Sequence, residues 1–223
     1  MLNEMHHAFI VESYYHRIKE KDPCLAEEVF LFCTRKYAEE RGSRMAQRAL
    51  RDGHSLNLSS YMAYGEWDYT SPDIVKNEIL ETAPNHHYLV KKCPWNTQFK
   101  AMDAMDCAES YCADLDRSLA RGFNPDCDME VRSTMHSCGQ CEFILHEAGA
   151  HPRPESSEKN RRPFGFHCGH VHSTFARCVK NIYGKDGEDI AAAVENAFEK
   201  EYGAEALREL SDYKKLDFLS IDS

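Results

Sequence analysis

The sequence predicts an α+β fold: an antiparallel sheet of about five strands, with helices packed on it and a helical C-terminal extension. Apolar residues recur at helical spacing in the first fifty residues and again after residue 93. Between and after these stretches they alternate with polar residues at intervals of two, as in strands. The resulting order of a meander, a long helix and a hairpin is typical of an antiparallel sheet rather than of regular βαβ units.

A pair of helices is predicted in residues 1–53. Apolar positions between Leu2 and Ile18 trace one face of the first helix, and Pro23 suits the first turn of the second. Gly42 lies inside the second helix, where glycine costs about 1 kcal/mol relative to alanine. It therefore implies either close backbone packing or a break in the helix.

The sheet and the long helix are expected in residues 54–148. Alternating patterns predict strands near residues 58–68, 74–82 and 86–92, with prolines in the intervening turns. The helical stripe that follows predicts one helix from Pro94 to about Arg121, lying across the sheet.

A hairpin completes the sheet, with strands predicted near residues 127–136 and 140–147. Residues 1–148 therefore form the main domain. Residues 149–165 carry three prolines and clustered charge without periodicity, which indicates a linker or loop. Residues 166–223 are expected to be a helical C-terminal extension.

Composition restricts the function. The formal net charge of -10 excludes the dense basic face that nucleic acid or an anionic membrane requires. No apolar stretch reaches the length of a membrane span, and the N-terminus lacks the pattern of a signal peptide. We expect a cytoplasmic chain with ten reduced cysteines. Its expected partners are a small-molecule substrate and, as a homo-oligomer, like subunits.

Common catalytic signatures such as a P-loop or a His-Glu-x-x-His motif are absent from the sequence, which leaves thiols, carboxylates and arginines. Cys93 follows Lys91 and Lys92 and precedes Pro94 at the start of the long helix. The helix dipole and the ammonium groups would both favour its thiolate, the nucleophilic form. The alternative is a structural cysteine that closes a turn.

Two carboxylates are candidate general bases. Asp116 lies four residues after Cys112 and so shares a helix face with it. A neighbouring carboxylate disfavours a thiolate, which makes Cys112 a poorer nucleophile than Cys93 and leaves this pair as a base with a polar neighbour or half of a metal site. Glu66 is the second candidate base, and the alternative for it is a surface carboxylate at a strand end.

Three arginines, Arg41, Arg44 and Arg48, share one side of the second helix. An arginine beside the core can hold a substrate carboxylate through two parallel hydrogen bonds, and Arg41 lies closest to the apolar stripe. For Arg48 a solvated helix face is the favoured interpretation.

Two clusters are candidate metal ligands. Cys138-x-x-Cys141 lacks the second pair that a zinc site needs, so Cys141 is interpreted as a core residue or pocket liner. The second cluster contains the candidate ligands His167, Cys168, His170 and His172. It is predicted to lie in an irregular loop before a helix, where it is either a metal site or only a polar loop.

Six short motifs then occur in one order along the chain. They are Arg41-Gly42-Ser43-Arg44-Met45-Ala46, Tyr64-Gly65-Glu66-Trp67, Cys93-Pro94-Trp95, Tyr111-Cys112 with Asp116, Gly122-Phe123-Asn124-Pro125, and Cys141-Glu142-Phe143. In this order they resemble the L-2-amino-thiazoline-4-carboxylic acid hydrolase family over roughly residues 5–147. The segment after residue 149 lies outside the resemblance.

The resemblance implies a hydrolase acting on the carbon–nitrogen bonds of a cyclic amidine. Water adds to the ring carbon between nitrogen and sulfur, and the ring opens to a carbamoyl-cysteine. The catalytic residues expected on this basis are Cys93, Cys112, Asp116 and Glu66. The expected substrate-binding residues are Arg41, Arg44, Trp67, Trp95, Asn124 and Cys141. Six of these residues are expected to line one pocket: Glu66, Cys93, Cys112, Asp116, Asn124 and Cys141.

Two alternatives stay open. The attacking group is either the Cys93 thiolate or an activated water, and the reaction requires no cofactor although a divalent metal would be compatible with the His/Cys segment. In a different class of function, the protein would be a non-catalytic sensor or carrier of a small molecule or metal, related in architecture to 4-vinyl reductase-type domains.

Overall fold

The computed structural model describes residues 1–221 and confirms the α+β class, with four strands in the sheet instead of about five. The helices are α1 (Glu4–Lys21), α2 (Ala26–Arg51), α3 (Leu58–Ala63), α4 (Pro94–Ala101), α5 (Met105–Phe123), α6 (Met135–Cys138), α7 (Phe164–Tyr183) and α8 (Lys185–Tyr213). The strands are β1 (Lys76–Glu81), β2 (His86–Lys92), β3 (Met129–Ser133) and β4 (Cys141–Leu145).

The sheet is antiparallel, in the order β1-β2-β4-β3. Its register aligns Ile79 with Tyr88, Tyr88 with Phe143, and Phe143 with Val131. Paired residues in a sheet point to the same face, so these four side chains form one row across it. The Tyr88 and Phe143 rings stack with centroids 5.2 Å apart.

The strand predicted at residues 58–68 is wrong. Residues Leu58–Ala63 form helix α3, which begins where the Asn57 side chain accepts a hydrogen bond from the Ser60 backbone N–H. A short apolar run fits either a helix or a strand, and this N-cap decides for the helix. Further along, Trp67 forms only an isolated parallel bridge with Arg162.

The single helix predicted from Pro94 to Arg121 is two helices, α4 and α5. The break includes Asp103, which has a positive φ of 55°. The apolar stripe runs through the break because Phe99 and Ala104 on either side are fully buried in the same core. Periodicity alone therefore did not reveal it.

Helices α2 and α5 pack closely, which explains Gly42. A Cβ atom there would lie 2.1 Å from the Leu119 carbonyl oxygen, and one at Gly122 would lie 2.4 Å from the Glu39 carbonyl oxygen. Neither site has room for a side chain. Of the two readings of Gly42, close packing is confirmed, because α2 continues without a break.

Helix α7 begins at Phe164, so the loop before it is shorter than expected and the His/Cys segment is helical. Phe175 of α7 and Phe198 of α8 belong to the same buried cluster as Phe30 of α2 and Phe99 of α4. The C-terminal helices are thus part of the main core. Within residues 1–221, no helix has both the length and the apolar character needed to cross a membrane.

Candidate functional site

A cavity of about 480 Å³ lies between the sheet and helices α2 and α5. Five of the six residues predicted to share a pocket line it: Glu66, Cys93, Cys112, Asp116 and Cys141. Arg41, Trp67 and Trp95 also lie in its wall. The structure therefore brings together most of the residues that the motifs singled out.

Asn124 lies elsewhere, contrary to the prediction. It follows the last turn of α5, and its Nδ2 donates a hydrogen bond to the Leu56 carbonyl oxygen over 2.7 Å. It borders a second, polar cleft with residues such as Asp126 and His146. The side chain stabilises a loop connection and does not face the first cavity.

Glu66 is buried and held by arginines. Arg44 binds it through two hydrogen bonds, Nε to Oε1 at 2.8 Å and Nη2 to Oε2 at 2.7 Å. Arg48 Nη1 donates to Oε1 over 2.5 Å, and Arg41 Nε lies 3.7 Å from Oε2. The solvated position favoured for Arg48 is therefore wrong, because its side chain is 1% exposed.

This arrangement makes Glu66 a poor general base. Burial raises the pKa of its carboxyl group, but the charge and hydrogen bonds of Arg44, with the charge of Arg41, outweigh burial and hold the pKa far below its usual value. A carboxylate with such a low pKa does not take a proton from water near neutral pH. Glu66 instead acts as the counter-charge that holds the three arginine side chains in position.

The guanidinium of Arg41 is positioned by aromatic rings and faces the cavity. Its Cζ lies 3.9 Å from the centroid of Trp67 and 5.6 Å from that of Tyr37. Among residues 1–221, its Nε has no hydrogen-bond acceptor. Arg44, in contrast, is occupied by Glu66 and by the Phe218 carbonyl oxygen. Arg41 is thus the arginine that remains available to a ligand.

Residues after 160 contact Glu66 and Arg44. The Arg162 backbone N–H donates to the Glu66 carbonyl oxygen over 2.9 Å, and His167 Nε2 lies 3.3 Å from the same oxygen. The backbone carbonyl oxygen of Phe218 accepts a hydrogen bond from Arg44, and the Phe218 ring packs on the ring of Phe166. The position of Glu66 therefore depends on residues far along the chain.

Asp116 lies in the cavity wall with a free carboxylate. Within the described residues, no donor forms a hydrogen bond with it. Burial raises its pKa to about 6, and the charge of Arg41 offsets only part of that effect. Its negative charge in turn raises the pKa of groups on several sides of the cavity: Tyr61, Tyr69, Tyr88, Tyr111, Cys93, Cys112 and Cys141.

Cys93 is the N-cap residue of α4, as predicted, but its predicted activation is wrong. Burial raises the pKa of its thiol more than the backbone N–H groups of Asn96 and Trp95 lower it. The lysines do not help, because Lys91 reaches Glu78 and Lys92 donates to the Asp73 carbonyl oxygen. Desolvation therefore outweighs the helix terminus, and the thiol stays protonated near neutral pH.

The other two thiols of the cavity are also neutral near pH 7. Burial, followed by the electrostatic interactions with the neighbouring Cys93 thiol and the Asp116 carboxylate, raises the pKa of Cys112 well above its usual value. Burial raises the pKa of Cys141 to about 12, although its Sγ accepts a hydrogen bond from the Met135 backbone N–H. The expectation that Cys112 is a poor nucleophile agrees with this environment.

A buried histidine that the motifs did not single out orders the aromatic wall. Trp95 Nε1 donates to His7 Nδ1 over 3.0 Å, so His7 must carry its proton on Nε2, which lies 3.0 Å from the Tyr37 hydroxyl. Burial lowers the pKa of His7 to about 3 and keeps it neutral. In the sequence, the position of His7 on the apolar face of the first helix was the one indication that this histidine is buried.

Four tyrosines that line the cavity were not among the predicted site residues, although one of them, Tyr111, stands in a quoted motif: Tyr61, Tyr69, Tyr88 and Tyr111. None of their hydroxyl groups has a hydrogen-bond partner within residues 1–221, and that of Tyr111 is fully buried. Tyr88 alternates in phase with Val90 on β2, so the strand pattern already placed both on one face. Nothing in the sequence showed that this face lines a cavity.

The His/Cys segment does not form a metal site. Its side chains are spread around helix α7 and contact different partners: His167 lies near the Glu66 carbonyl oxygen, Cys168 near that of Asn3, His170 near Glu40 and His172 near Glu195. In the part of the chain that the structure describes, no three or more His, Cys, Asp or Glu residues are grouped to hold a metal ion. The expected polar loop is also wrong, because the segment is a buried part of helix α7, which begins at Phe164.

The α+β fold places an arginine, a free carboxylate and an aromatic wall around one cavity, a combination that is typical of small-molecule sites and provides groups suited to acid–base chemistry. The chain belongs to the L-2-amino-thiazoline-4-carboxylic acid hydrolase family, whose model matches residues 3–145. The match confirms the resemblance read from the motifs and ends before α7. No curated protein and no solved structure matches the chain.

Proposed function

We propose that the protein hydrolyses a cyclic amidine that carries a carboxylate, of the 2-amino-thiazoline-4-carboxylate type, to a carbamoyl-cysteine type of product. Family membership supports the hydrolase class. The observation that carries the proposal is that Asp116, a carboxylate without a hydrogen-bond partner among the described residues, shares one cavity with the available guanidinium of Arg41.

These two groups match the two ends of such a substrate. Arg41 binds the substrate carboxylate, and its stacking on Trp67 fixes the plane of the guanidinium before the substrate arrives. Asp116 faces the amidine, where it accepts hydrogen bonds from the nitrogens. Both interactions are strengthened by the apolar surroundings of the cavity.

Asp116 is also the proposed general base. Its pKa of about 6 leaves it ionised but basic enough to accept a proton from water near neutral pH. The water oxygen bonds to the amidine carbon, and the bond from that carbon to the ring sulfur breaks. The oxygen becomes the carbonyl of the product, and the two water protons end on the ring nitrogen and on the released sulfur.

Cleavage of the ring carbon–sulfur bond gives an N-carbamoyl-cysteine with a free thiol. Cleavage of the ring carbon–nitrogen bond named from the sequence, with both water protons ending on the ring nitrogen, gives an S-carbamoyl-cysteine with a free amine. Between the two attacking groups left open above, the raised pKa of Cys93 favours water. Glu66, with its lowered pKa, serves in this proposal to position Arg41.

The test is turnover of L-2-amino-thiazoline-4-carboxylate by the purified protein, with the product identified by mass spectrometry because ten protein cysteines would react with thiol reagents. Asp116→Asn should lower kcat by about 10²-fold or more. The matched control is Asp114→Asn on the same helix, where Asp114 pairs with Arg35 and lies outside the cavity. Binding of this compound without any product would contradict the proposal and favour a carrier.

A further inference from the structure

We infer that the substrate is an aryl-substituted member of this cyclic amidine class, with its aromatic substituent bound under strands β1 and β2. This inference rests on the proposed function, and it concerns the part of the cavity that the bare ring does not reach. Three observations support it: the size of the cavity, the distribution of its polar groups and the position of its opening.

The first observation is size. A volume of about 480 Å³ lies in the range of roughly 300–1,000 Å³ that is typical of pockets for drug-sized ligands. An amino-thiazoline carboxylate is one five-membered ring with two small substituents. It fills only a part of such a space, and the remaining wall of the cavity would have no ligand atoms in van der Waals contact with it.

The second observation is the separation of charge from apolar surface. Of the charged lining residues, Arg41 and Asp116 belong to α2 and α5, Glu66 is paired with arginines and Arg153 lies in the segment before α7, whereas the facing wall of the cavity is formed by the sheet. Its sheet residues include Ile79, Tyr88 and Phe143, which the register places in one row. The Tyr88 and Phe143 rings stack on each other with an interplanar angle of 30°, and together they give this wall an aromatic surface against which an aryl group can pack.

The unpaired tyrosine hydroxyls agree with a larger ligand. In the proposed binding mode, Arg41 and Asp116 already satisfy the carboxylate and the amidine. The hydroxyls of Tyr61, Tyr69 and Tyr88 are then left for water or for polar atoms on an extended ligand.

The third observation is the opening. Strand β1 is an edge strand, and Ile79, which lines the cavity, is 58% exposed. Arg41, in contrast, is 1% exposed. The cavity therefore runs from the buried Arg41 to an opening at β1, where the apolar Ile79 lies beside the exposed polar residues Asn77 and Arg153, and a substituent has room to extend toward β1.

The experiment compares kcat/KM for 2-amino-thiazoline-4-carboxylate and for its 5-phenyl derivative, using the full chain. We expect the phenyl derivative to be preferred by roughly tenfold or more, because burial of an aromatic ring is worth that factor. Ile79→Trp narrows the apolar end and should reduce this preference. The matched control is Leu80→Trp, since Leu80 is next in the strand, is also exposed and lies outside the cavity.

The outcomes separate the two proposals. A preference for the phenyl derivative that Ile79→Trp reduces and Leu80→Trp leaves in place supports the inference. Equal or better turnover of the unsubstituted compound overturns the inference and leaves the proposed function standing. A lack of product from both compounds overturns the proposed function, and the inference with it.

Discussion

The Arg41 guanidinium lies 3.9 Å from the centroid of the Trp67 ring, and both side chains belong to the wall of one cavity. Glu66, next to Trp67 in the chain, lies 3.7 Å from Arg41 Nε. One short loop thus supplies both the ring and the counter-charge that orient this arginine. It leaves Arg41 as the cation of the cluster that faces a ligand.

We expect Arg41→Lys to lower kcat/KM for the carboxylate substrate by about 10- to 100-fold, because lysine cannot form the planar paired contact that stacks on Trp67. The carboxamide analogue of the substrate should be turned over with little difference between the variant and the original chain. Steady-state kinetics with both compounds checks this. An equal loss for both would show that Arg41 has a structural role only.

The rate of ring opening should rise with pH through about 6. Burial raises the pKa of Asp116 to that value, and only the ionised form accepts a proton. Activity is therefore low below the pKa and reaches a plateau above it. A profile of kcat/KM from pH 4.5 to 8 measures this, and a midpoint near 4 would mean that another carboxylate is the base.

Cys93→Ser should reduce turnover by less than about tenfold, because water and not the thiol attacks in the proposed reaction. The raised pKa of Cys93 also predicts slow alkylation at pH 7 compared with the exposed Cys24 and Cys138. Peptide mass spectrometry after timed iodoacetamide treatment gives the order of reaction. A loss of several orders of magnitude in the serine variant would restore covalent catalysis by Cys93.

Glu66→Gln should lower the free energy of unfolding by about 3 kcal/mol, because it leaves the buried Arg44 and Arg48 without their counter-charge. The effect depends on pH in a known direction. The pKa of Glu66 is lowered on folding, so its ionised form stabilises the fold above the unfolded value of 4.5, and this stability is lost as the pH falls further.

Urea unfolding at pH 7 and at pH 4 measures both effects. The matched control is Glu147→Gln, a carboxylate at an exposed turn. Equal midpoints for the original chain and Glu66→Gln at pH 7 would contradict the anchoring role of this residue.

Local patterns predicted the parts of the fold that depend on neighbouring residues. The strand at residues 86–92 matches β2, and the stripe between Leu2 and Ile18 matches α1. The strand prediction for residues 58–63 was wrong because six residues are too few to distinguish helical from strand periodicity, and the Asn57 cap favours the helix. The prediction of one uninterrupted helix missed the break at Asp103 for another reason, since the residues on either side of it stay in one apolar stripe.

By itself, the sequence determined the α+β class, the family and the shared helix face of Cys112 and Asp116, because periodicity and motif order are properties of short segments. Only the tertiary structure decided which charged groups are free. Arg44 is occupied by Glu66 and Phe218, while Arg41 is left for a ligand. The protonation state of each group depends on burial and on partners distant in the chain, and no local pattern contains that information.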